Sequence, residues 1–150
     1  MSQSLAGVFI HLTFSTKDRQ RQLTPEICAE LCPYVGGVIE RRGSQPIIQC
    51  ATADHIHCLF RLSPNTALAD LIRDIKANSS RWLRGRFTGQ QDFAWQNGYG
   101  AFSVSKSNVK KVAAYVASQK EHHRRVSFQD ELLGLLKKHE IPYDERYLWT

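Results

Sequence analysis

The most informative stretch of this chain is His55–Leu62, which reads His-Ile-His-Cys-Leu-Phe-Arg-Leu and predicts a β-strand. Side chains of a β-strand alternate between its two faces, so His55 and His57 point to one face and Ile56 and Phe60 to the other. Two imidazoles side by side on an exposed sheet face can chelate a metal or hold a phosphate. The alternative is a pair of surface histidines on a half-buried strand, because a His-x-His pattern is short and occurs by accident.

Composition predicts one soluble domain. The chain has 150 residues, of which 42% are hydrophobic, and its mean hydropathy is −0.38. No apolar run approaches the roughly 20 residues that cross a bilayer, and the N-terminus lacks the pattern of a signal peptide. The four cysteines form no Cys-x-x-Cys pair, which favours free thiols in a reducing cytoplasm. We therefore expect a cytoplasmic protein with no membrane contact.

The charge of the chain favours a polyanionic partner. The formal net charge is +6 and the isoelectric point is about 9.3, and a broad basic surface most often binds nucleic acid. The alternative is a soluble protein that is basic but has no polyanionic partner.

Alternation and helical periodicity together predict the order β-α-β-β-α-β, followed by further helices. Pro33 and the Gly36-Gly37 pair predict a kink or break in the first helix, and Thr66 is a possible cap of the second. The predicted strands are 8–15, 45–51, 55–62 and 99–104, and the predicted helices are 25–42, 66–86, 108–124 and 128–139.

This order is the α+β ferredoxin-like, or RRM-like, pattern, in which an antiparallel sheet carries two helices on one face. The first and third strands are then central neighbours, so His11 shares the open face with His55 and His57. We expect a single domain over residues 1–150, with a core in 1–105 and C-terminal helices and a tail in 106–150.

The helix that begins at Asn108 carries the second half of a possible site. At 100° per residue, Tyr115, Gln119 and His122 fall within about a 60° sector. On its own this pattern also suits a tyrosine at the border of an amphipathic helix. Two imidazoles and one amide oxygen can form a three-ligand metal site, and a tyrosine one turn away can be a nucleophile. Magnesium prefers oxygen ligands, whereas imidazole suits manganese better, so we expect Mg²⁺ or Mn²⁺.

These residues resemble the single-tyrosine HUH transposases of small bacterial and archaeal insertion sequences, which implies a bacterial or archaeal source. The His-hydrophobic-His motif is His55-Ile56-His57, and the helix motif is Tyr115-Val-Ala-Ser-Gln119 followed by His122-His123. The segment 95–105, the late Phe128-x-x-Glu131 pattern and the segment 141–148 also resemble the family.

The resemblance implies that the protein cuts and rejoins single-stranded DNA through a 5′-phosphotyrosine. It implies DNA hairpins as partners and a homodimer in which one subunit can complete the site of the other. Carried over to this chain, Tyr115 is the nucleophile and His55, His57 and Gln119 are the metal ligands. His11, His122 and His123 are possible accessory residues. The candidate DNA-binding cations are Arg73, Lys76, Arg81, Arg84, Lys110 and Lys111.

Two other functions remain open on the sequence. One is a related HUH endonuclease, either a replication initiator or a domesticated nuclease that processes repeats. The other is a non-catalytic module that binds single-stranded RNA on its sheet. Such modules present aromatic side chains on their central strands, and Phe9 is the only obvious candidate on the predicted face.

Overall fold

A four-stranded antiparallel sheet with the order β2-β3-β1-β4 forms the centre of the molecule. The structure is a computed structural model that describes residues 2–122 and 125–150. The first and third strands are the central neighbours, which confirms the ferredoxin-like prediction. The strands are β1 (Val8–Ser15), β2 (Gln45–Ala51), β3 (His55–Leu62) and β4 (Gly100–Val104).

Six α-helices are assigned among the described residues. They are α1 (Pro25–Arg41), α2 (Leu68–Arg86), α3 (Val109–Ala117), α4 (Gln119–His122), α5 (Phe128–Lys138) and α6 (Glu145–Leu148). None of the helices in this part of the chain has both the length and the apolar character needed to cross a membrane.

One face of the sheet packs against α1 and α2 and forms the main core. Leu12 and Phe14 of β1 and Phe60 of β3 are fully buried there, against Leu31 of α1 and Ile75 of α2. Burial of an aliphatic or aromatic side chain of this size stabilises the fold by about 1.5–3 kcal/mol. Because the apolar residues of β1 and β3 alternate with the histidines, the sheet face opposite the histidines packs against α1 and α2.

The opposite face of the sheet is also covered, so the expectation of an open histidine face was wrong. The side chains of His55 and His57 are 1% and 0% exposed. The C-terminal helices cover them through two small apolar clusters. One contains Phe102 of β4 with Phe128, Leu132 and Leu136 of α5, and the other contains Phe9, Leu59 and Val109. The sheet is thus a middle layer between two layers of helix.

Apart from shifts of one residue at helix ends, the helices differ from the sequence prediction at four places. Helix α1 runs continuously past Pro33, without the expected break. Helix α2 begins at Leu68, because the Thr66 hydroxyl donates to the carbonyl of Arg42 instead of capping the helix. The helix predicted from Asn108 to 124 ends at Ala117 and resumes at Gln119. The fourth difference is a short helix, α6, in the expected irregular tail.

Candidate active site

Three imidazoles from the two central strands meet on the face covered by the C-terminal helices. Thr13 pairs with His57 across β1 and β3, so His11, two residues along β1, lies diagonally opposite His57. Nε2 of His11 is 2.8 Å from Nδ1 of His57, and the two rings stack. Burial and the neighbouring His57 lower the pKa of His11 to about 3, so His11 is neutral at ordinary pH. The predicted placement of His11 beside the histidine pair is confirmed.

The turn between β2 and β3 orients His55. Nδ1 of His55 lies 2.7 Å from a carboxylate oxygen of Asp54 and 2.9 Å from the hydroxyl of Thr52. The ring also packs against Phe128 of α5, with 4.8 Å between ring centroids. With Nδ1 engaged by this turn, Nε2 of His55 faces the interior of the site, 3.9 Å from an oxygen of Glu131.

Helix α3 brings Tyr115 to the imidazoles of its own chain. The Tyr115 ring centroid lies 6.0 Å from that of His57 and 6.0 Å from that of His11. The Tyr115 hydroxyl donates a hydrogen bond to the carboxylate of Glu131. Burial and the negative charge of Glu131 raise the pKa of Tyr115 above its usual value. Tyr115 is therefore a neutral phenol that is half-buried and directed toward the histidines.

Gln119, one turn beyond Tyr115, is fully buried and presents an amide oxygen that is not hydrogen-bonded. Its Nε2 lies 3.4 Å from the carbonyl oxygen of Tyr115, to which it donates. Its Oε1 has no hydrogen-bond partner among the described residues. A buried acceptor without a partner costs about 1–3 kcal/mol, and a bound cation would remove that cost.

Glu131 is the residue of the site to which the sequence analysis gave no role. Its side chain is 2% exposed, and one carboxylate oxygen lies 2.9 Å from Nε2 of His57. The other oxygen accepts from Tyr115 and lies 3.3 Å from Nε2 of His122. The available signal was an acidic residue between Phe128 and Leu132 on the buried stripe of α5. His123, another predicted accessory residue, lies outside the described residues.

The buried side chains fit a divalent cation. One ligand atom from each of His55, His57 and Glu131 lies within 4.8 Å of the others, and all three residues are buried. Two imidazoles with a carboxylate and an amide oxygen form a mixed nitrogen and oxygen set, which suits Mn²⁺ and, more weakly, Mg²⁺. The partnerless Oε1 of Gln119 supports the same interpretation.

A cavity of about 460 Å³ opens beside the site, between β4, α3 and α5. It is large enough to admit part of a nucleotide next to the Tyr115 ring. Its walls combine buried polar groups, apolar side chains and two cations, among them His11, Phe102, Tyr115, Glu131, Lys111 and Lys138.

The predicted DNA-binding cations occupy two separate places. Lys110 and Lys111 are exposed on α3, where Lys111 lines the cavity beside the site, whereas the other four lie on α2, across the sheet. Nζ of Lys76 already donates to the carbonyls of residues 96, 97 and 98, at 2.5, 2.9 and 3.0 Å. Arg84 donates to the carbonyl of Phe93, and Arg73 pairs with Asp70. Phosphate contacts by these cations stay predictions.

Comparison with known proteins identifies the family of this chain. Residues 4–119 match the family described as IS200-like transposases. The chain belongs to this family. The ISDra2 transposase TnpA of Deinococcus radiodurans is 24% identical to this chain over 116 residues, which cover 73% of this chain and 81% of that protein.

Two solved structures share the fold of this IS200-like transposase. A putative transposase from Deinococcus radiodurans aligns with a TM-score of 0.63 at 20% identity, over 79% of this chain and 98% of that one. A REP-associated tyrosine transposase bound to a REP hairpin aligns with a TM-score of 0.62 at 17% identity, over 84% of this chain and 76% of that one. Glu131 lies beyond the segment that matches the family.

Proposed function

We propose that this protein cleaves and rejoins single-stranded DNA at the ends of an insertion sequence, with Tyr115 as the nucleophile. The observation that carries the proposal is the meeting of a phenol, two buried imidazoles and a buried carboxylate in one chain of the IS200-like family. His55, His57 and Gln119 are the proposed ligands of Mg²⁺ or Mn²⁺. When bound, the cation would polarise the scissile phosphate and stabilise the negative charge that develops on it.

The proposed step transfers a phosphate from a sugar oxygen to Tyr115. The Tyr115 oxygen forms a bond to phosphorus, and the bond from phosphorus to the 3′ oxygen breaks. The products are a 5′-phosphotyrosine and a free 3′-hydroxyl. The phenol proton ends on the departing 3′ oxygen, and the Glu131 carboxylate already accepts the hydrogen bond of that phenol. Rejoining is the reverse reaction with another 3′-hydroxyl.

The protonated state of Tyr115 contributes to the activation barrier of the proposed cleavage step. Ionising a phenol with an ordinary pKa at pH 7 costs about 4 kcal/mol, and burial raises the pKa of Tyr115 further. The resting site therefore holds an unreactive phenol. We infer that the nucleophile becomes competent only when positive charge offsets the Glu131 carboxylate beside it.

The proposed substrate is single-stranded DNA with a hairpin near the cleavage site. The net charge of +6 supports a polyanionic partner, and the structurally similar REP-associated transposase is bound to a hairpin. We propose that the protein acts on this substrate in the cytoplasm of a bacterial or archaeal cell. We also propose a homodimer, whose subunits each contain a Tyr115 beside their own His57.

A related HUH endonuclease that processes repeats is the second candidate, because the hairpin-bound relative is REP-associated. Both candidates share the cleavage step and differ in rejoining. A non-catalytic RNA-binding sheet is less well supported, since Phe9 is 9% exposed and the histidine face is covered.

A covalent-adduct assay tests the proposal. We expect the protein, incubated with MnCl₂ and single-stranded hairpin oligonucleotides, to become attached to the 5′ end of the cut strand. Tyr115→Phe should abolish the adduct and keep the affinity for the hairpin within about twofold of that of the wild type. Tyr99→Phe is the matched control, because Tyr99 is exposed and is not among the residues that line the cavity beside the site. An adduct that persists in Tyr115→Phe would move the nucleophile elsewhere.

The same assay separates the two candidates. A transposase should transfer the adduct to a second strand with a free 3′-hydroxyl and give a joined product of new length. A nuclease that only processes repeats should stop at cleavage.

A further inference from the structure

Glu131 connects helix α5 to both halves of the active site. Its Oε1 lies 2.9 Å from Nε2 of His57 and 3.9 Å from Nε2 of His55. Its Oε2 accepts the hydrogen bond of the Tyr115 hydroxyl. The carboxylate therefore lies between the two imidazoles and the nucleophile, and contacts both sides.

The surroundings of Glu131 are unusual for an acidic side chain. It is 2% exposed, and Phe128, Leu132 and Leu136 flank it on the buried face of α5. Transfer of a carboxylate out of water is costly unless a cation or several hydrogen bonds compensate it. The polar contacts of Glu131 include those to the Tyr115 hydroxyl and to the imidazoles of His57 and His122. The buried face of α5 thus carries a carboxylate at a position where a hydrophobic residue is usual.

The distances allow one ion to contact all three residues. Ligand atoms that bind one Mg²⁺ at about 2.1 Å are separated by at most about 4.2 Å. The nearest atoms of His55, His57 and Glu131 lie within 4.8 Å of one another, so a shift of a few tenths of an ångström at each suffices. A carboxylate also supplies the hard oxygen that a site made of two imidazoles lacks.

We infer that Glu131 supplies a charged oxygen ligand to the divalent cation, alongside His55 and His57, while its second oxygen holds the Tyr115 hydroxyl at the site. This inference rests on the proposed function for the presence of the cation. It assigns a role to α5, which lies outside the segment that matches the family. Helix α5 is then part of the metal site, so cation binding and the docking of α5 on the sheet stabilise each other.

Cation binding measured without DNA tests the inference. MnCl₂ is titrated into the full chain and free Mn²⁺ is followed by electron paramagnetic resonance. We expect Glu131→Gln, which keeps the shape and a hydrogen-bond acceptor for Tyr115, to weaken Mn²⁺ binding at least tenfold. Asp130→Asn is the matched control, because it removes one charge from the same turn of α5 at an exposed position. It should bind Mn²⁺ within about twofold of the wild type.

Hydrogen exchange gives a second readout that does not depend on activity. Mn²⁺ should slow the exchange of α5 backbone amides in the wild type and in Asp130→Asn, but not in Glu131→Gln. Circular dichroism confirms that each variant is folded.

The outcomes separate this inference from the proposed function. Unchanged Mn²⁺ affinity in folded Glu131→Gln, or no Mn²⁺ binding by the wild type, would overturn the ligand role of Glu131. Affinity lost in Gln119→Ala but kept in Glu131→Gln would assign the oxygen ligand to the amide alone. If the wild type binds Mn²⁺ through Glu131 and forms no DNA adduct, the ligand role stands and the proposed function falls.

Discussion

Nε2 of His11 lies 2.8 Å from Nδ1 of His57, which leaves room for one hydrogen between the two buried rings. Because the pKa of His11 is lowered to about 3, His11 is neutral, and it can accept at Nε2 when its own hydrogen is on Nδ1. The shared hydrogen then belongs to Nδ1 of His57. This tautomer makes the Nε2 lone pair of His57 available to the proposed cation, whereas without a cation the 2.9 Å contact between that nitrogen and Oε1 of Glu131 needs a hydrogen between them.

His11 should therefore act on the cation through His57. Second-sphere partners of this kind typically change metal affinity by 10–100-fold. We expect His11→Ala to weaken Mn²⁺ binding about tenfold. His11→Gln places an amide oxygen near the former Nε2 and should recover most of the affinity. Equal loss in both variants, measured by the same Mn²⁺ titration, would show that packing rather than hydrogen bonding explains the effect.

The docking of α5 should depend on Leu132. This side chain is buried against Phe102 of β4, and a buried Leu→Ala change costs about 2–5 kcal/mol. An isolated helix of 11 residues is marginal in water. We expect Leu132→Ala to open α5 locally, which would raise its amide exchange and reduce adduct formation.

Leu133→Ala is the control for that experiment, since Leu133 is only half-buried on the same helix. If Leu132→Ala exchanged its α5 amides as slowly as Leu133→Ala, the docking argument would be wrong.

Phosphate contacts should come from α3 rather than from Lys76. Each phosphate contact with single-stranded DNA contributes about −0.7 to the slope of log K against log salt. Replacing both Lys110 and Lys111 by alanine should make that slope shallower by about 1.4, with weaker binding of all sequences. Lys76→Met should leave the slope unchanged, because its ammonium donates to three carbonyls. Fluorescence anisotropy at several salt concentrations checks both expectations.

Lys76 should instead make the stability of the protein depend on pH. Burial lowers the pKa of Lys76 from 10.5 to about 8. Between these two values the unfolded chain binds more protons than the folded one, so this group makes the free energy of unfolding rise with pH. Relative to Lys76→Met, we expect the wild type to gain stability as the pH rises through that window.

Urea unfolding at pH values on either side of the window measures this gain, with Lys137→Met as the control at an exposed position. A difference between the wild type and Lys76→Met that stays constant with pH would contradict it. Below the window, where Lys76 is charged in the folded protein, Lys76→Met also loses the hydrogen bonds from the ammonium to three carbonyls, at a cost of about 1–3 kcal/mol.

Mixing two inactive variants tests whether sites are shared between subunits. The Tyr115 ring lies 6.0 Å from His57 of the same chain, so a mixture of Tyr115→Phe with His57→Ala should recover little adduct. Appreciable recovery would require the tyrosine helix of one subunit to reach the partner's histidines, which was the alternative implied by the family resemblance. Size-exclusion chromatography of the mixture establishes whether dimers are present.

Much of the sheet and of the imidazole pair could be predicted because strand alternation is a local signal. The bounds of β1, β2 and β3 agree with the predicted 8–15, 45–51 and 55–62. Helix ends were less predictable. Ser118 separates α3 from α4, although neither proline nor glycine marks a break at that position in the sequence.

Glu131 was missed as a site residue because its role depends on a contact across 74 positions, with His57. Its pattern with Phe128 was visible, but a pattern on one helix does not show which strand face the helix covers. For the same reason the sequence predicted an open histidine face, where α5 and Phe128 in fact pack on His55.

The two sides of the active site are attached to the molecule in different ways. His11, His55 and His57 lie on the two central strands, where hydrogen-bonded neighbours on both sides hold the backbone. Tyr115 and Glu131 come from helices of 9 and 11 residues that two small apolar clusters secure. Weakly anchored elements of this kind open more readily than central strands. We expect DNA to reach the site when α3 and α5 separate from the sheet. The free energy of that opening then limits how often a reaction begins.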